Sequence, residues 1–159
     1  MKEFNYEGAD PILKIPHGDK VWGVAVPCNT NAKYPIKILD DEMRMFCKRN
    51  ALDKKLSEYT KEYGTHVFYL GTFQNADGTL IKFFSFPVKE NIRDVLDATV
   101  VMNSCTDLTG MCERYGVNAC IIPQLQDKDD FMAWVNCYRD MVNLILDNKF
   151  IMIYRIQRK

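Results

Sequence analysis

The chain has 159 residues, 47% of them hydrophobic, with Lys plus Arg and Asp plus Glu balanced at 21 each. That length supports one domain with a real core and is short for two, so residues 1–159 are expected to form a single domain. Equal numbers of acids and bases exclude the overall basic field that recruits nucleic acid or an anionic membrane.

In chain order, Lys2 to Tyr6 reads as a short first strand, and Glu7-Gly8-Ala9-Asp10-Pro11 is loop chemistry, with a permissive glycine and a proline of fixed φ. Ile12 to Ile15 is a second short strand or an extended crossing. Val21 to Asn31, V-W-G-V-A-V-P-C-N-T-N, is a mostly apolar run with an abrupt polar end. Such a run bounded by turn residues predicts a buried strand, closing by Asn29. Its tip then lies at the carboxyl edge of a sheet, where diverging connections leave a ligand crevice in open α/β folds.

A helix follows, capped by Asp40 or Asp41, with Met43, Phe46, Cys47, Leu52 and Leu56 on one face and Asn50 marking a break. It ends before Gly64. Thr65 to Phe73 and Leu80 to Val88 are rich in aromatic and β-branched residues, and Asn75-Ala76-Asp77-Gly78 between them supplies turn residues, so an antiparallel hairpin is predicted. From Asp94 to Tyr115, Val101, Cys105, Leu108, Cys112 and Tyr115 alternate at spacings of four and three, one face of a helix. Gly116 suits its C′ position. Val117 to Leu125 is a further buried strand, with Pro123 near its end. Asp129 or Asp130 then caps a helix whose Phe131, Trp134, Val135, Tyr138, Met141, Val142 and Ile145 share a face. Phe150 to Ile156 closes the chain as a strand. Strand–helix alternation implies parallel pairing and the hairpin adds an antiparallel strand, so the fold class is a three-layer α/β/α domain with a central mixed sheet.

Several residues carry candidate chemistry. Asn29 and Asn31 offer amides that can donate to and accept from a ribose hydroxyl, or build the turn after the strand. Cys28 beside them is a nucleophile candidate, but neither histidine is close in sequence, and a buried thiol explains it better. Gln124, Gln126, Asp127 and Asp129 occupy the second strand-to-helix turn. No glycine follows Gly116, so this turn lacks the backbone cradle that closes on a phosphate above a helix N-terminus, and its carboxylates would repel one. The same acids complement a helix dipole. Asp40-Asp41-Glu42 has the donors for a hard cation such as magnesium, and equally the composition of a solvated helix start. Tyr154 and Arg155 on the last strand have the groups to stack on or frame a base, although alternation sends one of them inward. His17 and His66 have no partner pattern. The six cysteines (Cys28, Cys47, Cys105, Cys112, Cys120 and Cys137) contain no Cys-x-x-Cys pair, so no metal site is expected, and no cofactor is implied. With no signal peptide or long apolar span, a cytoplasmic protein without a membrane partner is expected.

Over most of its length the chain resembles the macrodomain family of ADP-ribose-binding and ADP-ribosyl-hydrolysing modules. Phe4 to Asp10 is similar to the opening strand and its Gly-Asp turn, with Ala9 between the two. Val24 to Asn29 resembles the apolar strand that ends in the family's asparagine. Tyr69 to Gln74 resembles the middle strand, and Phe84-Ser85-Phe86-Pro87-Val88-Lys89 the family's Phe-Pro-Thr-Lys type segment. Ala119 to Leu125, followed by Trp134 and Ile151 to Tyr154, is the best-matched block. The resemblance implies that Asp10 contacts the adenine amino group, Asn29 the distal ribose, and Tyr154 or its neighbours the adenine side. Two departures accompany it. Ala32 to Lys37 replaces the glycine-rich stretch after the asparagine, and Gln124 to Asp129 replaces the glycine-rich phosphate loop.

The function expected is therefore a divergent, macrodomain-like module that binds a nucleotide or nucleoside-derived ligand related to ADP-ribose. The candidate ligand-binding residues are Asp10, Asn29, Asn31, Gln124 and Tyr154, and no catalytic residue is assigned. Two alternatives stay open: a hydrolase or phosphatase acting on an ADP-ribose derivative, and a protein-interaction module that kept the scaffold and lost the pocket.

Overall fold

The computed structural model describes residues 2–6, 21–29, 48–74, 78–91, 94, 96–123, 132–147 and 149–155. Among the described residues six strands form one sheet: β1 (Lys2–Tyr6), β2 (Trp22–Asn29), β3 (Tyr69–Gln74), β4 (Leu80–Lys89), β5 (Ala119–Pro123) and β6 (Phe150–Arg155). Their order is β1-β6-β5-β2-β4-β3. All neighbours are parallel except the β3/β4 hairpin, which is antiparallel. The mixed sheet predicted from the alternation of elements is thus observed. The described helices are α1 (Leu52–Tyr63), α2 (Ala98–Arg114), and a π-helical turn (Trp134–Tyr138) that runs into α3 (Arg139–Ile145).

Side-chain parity along the strands divides the core into two layers. Trp22, Val24, Val26 and Cys28 of β2, with Ile81 and Phe83 of β4, pack against Leu52 and Leu56 of α1. The intervening Ala25, with Phe84, Phe86 and Val88, faces Val101, Cys105, Leu108 and Cys112 of α2 and Val142 of α3. This is the three-layer α/β/α arrangement, and β2 and β4 are buried on both faces, which explains their nearly continuous apolar sequences.

Local chemistry sets the element ends. Ala51 is left-handed, with φ 51 and ψ 42, and breaks the helix one residue after Asn50. The predicted start of that helix at Asp40 or Asp41 lies outside the described residues, as does the Ile12 to Ile15 segment. α2 begins four residues later than the spacing implied. The Asp97 carboxylate accepts from Val100 N–H and caps it, whereas the Asp94 carboxylate closes a turn with Asn91. Gly116 takes φ 66 just past the cap residue Tyr115, the C′ role expected of it. β3 starts at Tyr69, after Thr65. The Phe68 N–H bonds the Ser85 hydroxyl instead of joining a ladder. The π turn inserts an extra residue between Trp134, which is buried, and Tyr138, whose hydroxyl donates to the Leu96 carbonyl at 2.8 Å.

Candidate functional site

The five parallel strands bring their carboxyl ends to one edge of the sheet, and β2 and β5 are adjacent there. Asn118 fixes their alignment at the opposite end, with its N–H donating to the Val21 carbonyl at 2.8 Å and its side-chain oxygen accepting from Val21 N–H at 2.9 Å. Among the described residues, the helix that follows β2, α1, packs on one face of the sheet, and the helix that follows β5, α3, packs on the other. Neighbouring parallel strands whose connections part to opposite faces define a topological switch point, and the crevice outside their carboxyl ends is where such sheets bind ligands.

Asn29 is the last residue of β2 and lies at that point. Its side chain is only 3% exposed, and its amide oxygen is buried without a hydrogen-bond partner among the described residues. A buried polar atom left unmade in this way costs about 1–3 kcal/mol, so it is retained at a penalty unless a ligand supplies a donor.

Beside Asn29 the register is irregular. Cys28 pairs with Pro87 and Asn29 with Lys89, so Val88 is skipped in the ladder. Pro87 has no N–H to donate; its carbonyl accepts from the Ser104 hydroxyl of α2 at 2.6 Å, and the Val88 carbonyl accepts from Asp97 N–H at 2.9 Å. These bonds take the end of β4 to α2 and leave Lys89 opposite Asn29. Lys89 is itself buried, at 2% exposure, an environment lysine rarely occupies without partners. The Lys89 side chain is thus enclosed at the carboxyl end of β4 instead of projecting into solvent.

Cys28, next to Asn29, is a structural thiol. Burial pushes it up to about 12, and a backbone hydrogen bond with Phe86 offsets this only in part. A thiol protonated at neutral pH is a poor nucleophile.

Of the other residues singled out in the sequence, Asp10, Asn31 and Gln124 lie outside the described residues. The backbone of Tyr154 pairs with Asn5 near the carboxyl end of β6, two strands from β2 on the same edge; its side chain lies outside the described residues. His66 approaches Asp107 at 3.4 Å on an exposed surface formed with Phe68. Lys89 is the residue that reading the sequence for chemistry missed. Its signal was its place at the end of the Phe86-Pro87-Val88-Lys89 segment.

No family model matches the chain, and no curated protein matches it by sequence. Solved structures do resemble it. The macrodomain of Thermus aquaticus DarG superposes with a TM-score of 0.60 at 15% identity, over 96% of this chain and 98% of that one. Thermosipho africanus DarTG, solved in complex with ADP-ribose, gives 0.58 at 12% identity, over 86% of this chain and 38% of that one. A macrodomain protein from Streptomyces coelicolor gives 0.56 at 7% identity, over 99% and 100%. The fold is that of a macrodomain. At these identities the likeness establishes the architecture, and the chemistry must be argued from the residues at the sheet edge. Among the described residues no helix is long and apolar enough to cross a membrane.

Proposed function

We propose that residues 1–159 form one divergent macrodomain that binds ADP-ribose or a closely related nucleotide at the carboxyl edge of the sheet. The observation that carries this reading is the buried Asn29 amide oxygen, without a hydrogen-bond partner among the described residues, at the topological switch point. An amide there is matched by a sugar hydroxyl, which can donate to the oxygen. The solved complex of Thermosipho africanus DarTG with ADP-ribose supports the ligand class. In this reading Asn29 and Asn31 hold the distal ribose, Asp10 and Tyr154 take the adenine, and Gln124 lines the edge beyond β5. Lys89 tempers the sequence argument against a diphosphate, because it brings a basic residue to the strand end paired with Asn29, where the acidic turn would repel an anion.

Calorimetric titration with ADP-ribose, AMP and adenosine tests the assignment. Saturable binding of ADP-ribose that is lost in Asn29→Ala supports it; no heat from any of the three contradicts it.

A second reading, removal of ADP-ribose from a modified target, is favoured by the same lysine. A lysine at the strand end paired with Asn29 can stabilise a departing anion while the asparagine orients the scissile sugar or a water. Release of ADP-ribose from a modified substrate, abolished in Asn29→Ala, is the expected result; equal turnover by the two proteins removes this role from Asn29.

A further inference from the structure

Asn29 ends β2, whose neighbours in the sheet are β4 and β5, so the segments leaving those two strands flank the crevice at its tip. The segment leaving β4 is tied down through two consecutive residues. Asp97 N–H donates to the Val88 carbonyl at 2.9 Å, while the Asp97 carboxylate caps α2 by accepting from Val100 N–H at 3.1 Å. Leu96, buried in the α2-side core, presents its carbonyl to the Tyr138 hydroxyl, which donates to it at 2.8 Å. Tyr138 belongs to the helical segment that follows β5. One hydrogen bond thus joins the elements that come after the two strands flanking β2.

The turn carrying Tyr138 is anchored at both ends. Trp134 at its start is buried, as are Val142 and Leu146 beyond it, and Arg139 N–H donates to the Trp134 carbonyl, the wide bond of a π turn. Single π turns inside helices occur frequently at functional sites. The Tyr138 ring packs against the same core cluster as Leu96. A phenylalanine would fill that space equally well, so the hydroxyl is what distinguishes this residue.

We propose that Tyr138 is a positioning residue for the ligand crevice: its hydroxyl clasps the β4–α2 connection to the helix after β5 and so fixes Lys89 opposite Asn29. The proposal rests on the binding reading above. With the clasp closed, Leu96 and the adjoining Asp97 are fixed, Asp97 N–H holds the Val88 carbonyl, and Lys89, the next residue, keeps its place beside Asn29 in the ladder. With it open, the connection is free to lift from β4. The Ser104 hydroxyl still holds the Pro87 carbonyl, so the movement is confined to Val88 and the residues after it.

The test compares wild type with Tyr138→Phe, which keeps the ring and removes one donor, and with Tyr69→Phe, which removes a tyrosine hydroxyl bonded to Thr72 on the hairpin. Backbone amide exchange is followed by NMR in the protein without ligand. In Tyr138→Phe, Asp97 N–H is expected to exchange about fivefold faster relative to Asn118 and Cys120 N–H at the opposite end of the sheet, the weight of one such hydrogen bond. Tyr69→Phe leaves that ratio as in wild type. ADP-ribose affinity, measured by calorimetry, is expected to fall by a similar factor in Tyr138→Phe and to hold in Tyr69→Phe. An Asp97 rate that is unchanged, or raised only in step with Asn118 and Cys120, would overturn the clasp, as would local acceleration with ADP-ribose affinity intact. If wild type gives no heat with ADP-ribose, the binding reading fails, and the exchange contrast alone decides the clasp.

Discussion

Asn29 and Lys89 are cross-strand partners at the carboxyl ends of parallel strands, and both are buried. One presents an amide oxygen without a hydrogen-bond partner among the described residues; the other is a lysine enclosed within the fold at the same end of the sheet. The skipped Val88 creates this pairing by moving Lys89 up one position relative to β2.

If the Lys89 charge serves the phosphates of the ligand, Lys89→Met should weaken ADP-ribose at least tenfold, about 1.4 kcal/mol, while leaving adenosine binding unchanged. Parallel titrations measure the split. An equal loss for both ligands would assign Lys89 to the shape of the edge and not to its charge.

Asn29→Ala should separate stability from binding. Truncation removes the penalised oxygen as well as some packing, so the change in unfolding free energy is expected to stay within about 1 kcal/mol, measured by urea denaturation. ADP-ribose affinity should nevertheless fall at least tenfold, about 1.4 kcal/mol. A large loss of stability with binding retained would mark Asn29 as a framework residue.

Much of the architecture was legible because it depends on local pattern. The alternating spacings from Val101 to Cys112 mark the buried face of α2, and the two aromatic-rich runs around Asn75 to Gly78 mark the β3/β4 hairpin. Val21 to Asn29 read correctly as a buried strand for the same reason: apolar residues on both faces leave only a two-sided core as their environment. The burial of Lys89 was not legible, because a lysine after Phe-Pro-Val looks like a solvated strand end until β2 is laid beside it. The π turn at Trp134 escaped as well, since an apolar face at helical spacing does not register one inserted residue. The start of α2 at Ala98, four residues after Asp94, was not legible, because the Asp94 carboxylate turns back to Asn91 and Asp97 caps the helix. At the site, sequence singled out Asn29 but could not show that its oxygen is left without a hydrogen bond among the described residues.

Gly23 tests the packing between β2, β4 and β5. A Cβ at this position would lie 3.1 Å from Val117 Cγ1, 3.2 Å from Cys120 Sγ and 3.3 Å from Phe84 Cε2. Gly23→Ala should therefore destabilise the fold by about 1–3 kcal/mol through overpacking. Thermal or urea unfolding measures it, and an unchanged midpoint would show that the α2-side core layer yields more easily than its burial indicates.

Cys28 and Cys105 predict an alkaline limit to stability. Burial pushes each from 9.0 up to about 12. Between those values the unfolded chain loses the thiol protons while the folded protein keeps them, so the unfolded state binds fewer protons and folding stability falls as pH rises. The slope is about 1.4 kcal/mol per pH unit for each such thiol. Denaturation across this range should show the decline, and Cys105→Ala should have a shallower slope whatever its starting stability. An equal slope would mean that this thiol ionises alike in both states.

The central claim, that the carboxyl edge of β2 holds the ligand, is tested most directly by mapping amide resonances of the isotopically labelled protein during ADP-ribose titration. Saturable shifts should centre on Cys28, Asn29, Val88 and Lys89, including the side-chain amide of Asn29. A spectrum unchanged at saturating ligand, or shifts confined to the exposed Tyr59, Tyr63 and His66 surface, would contradict it.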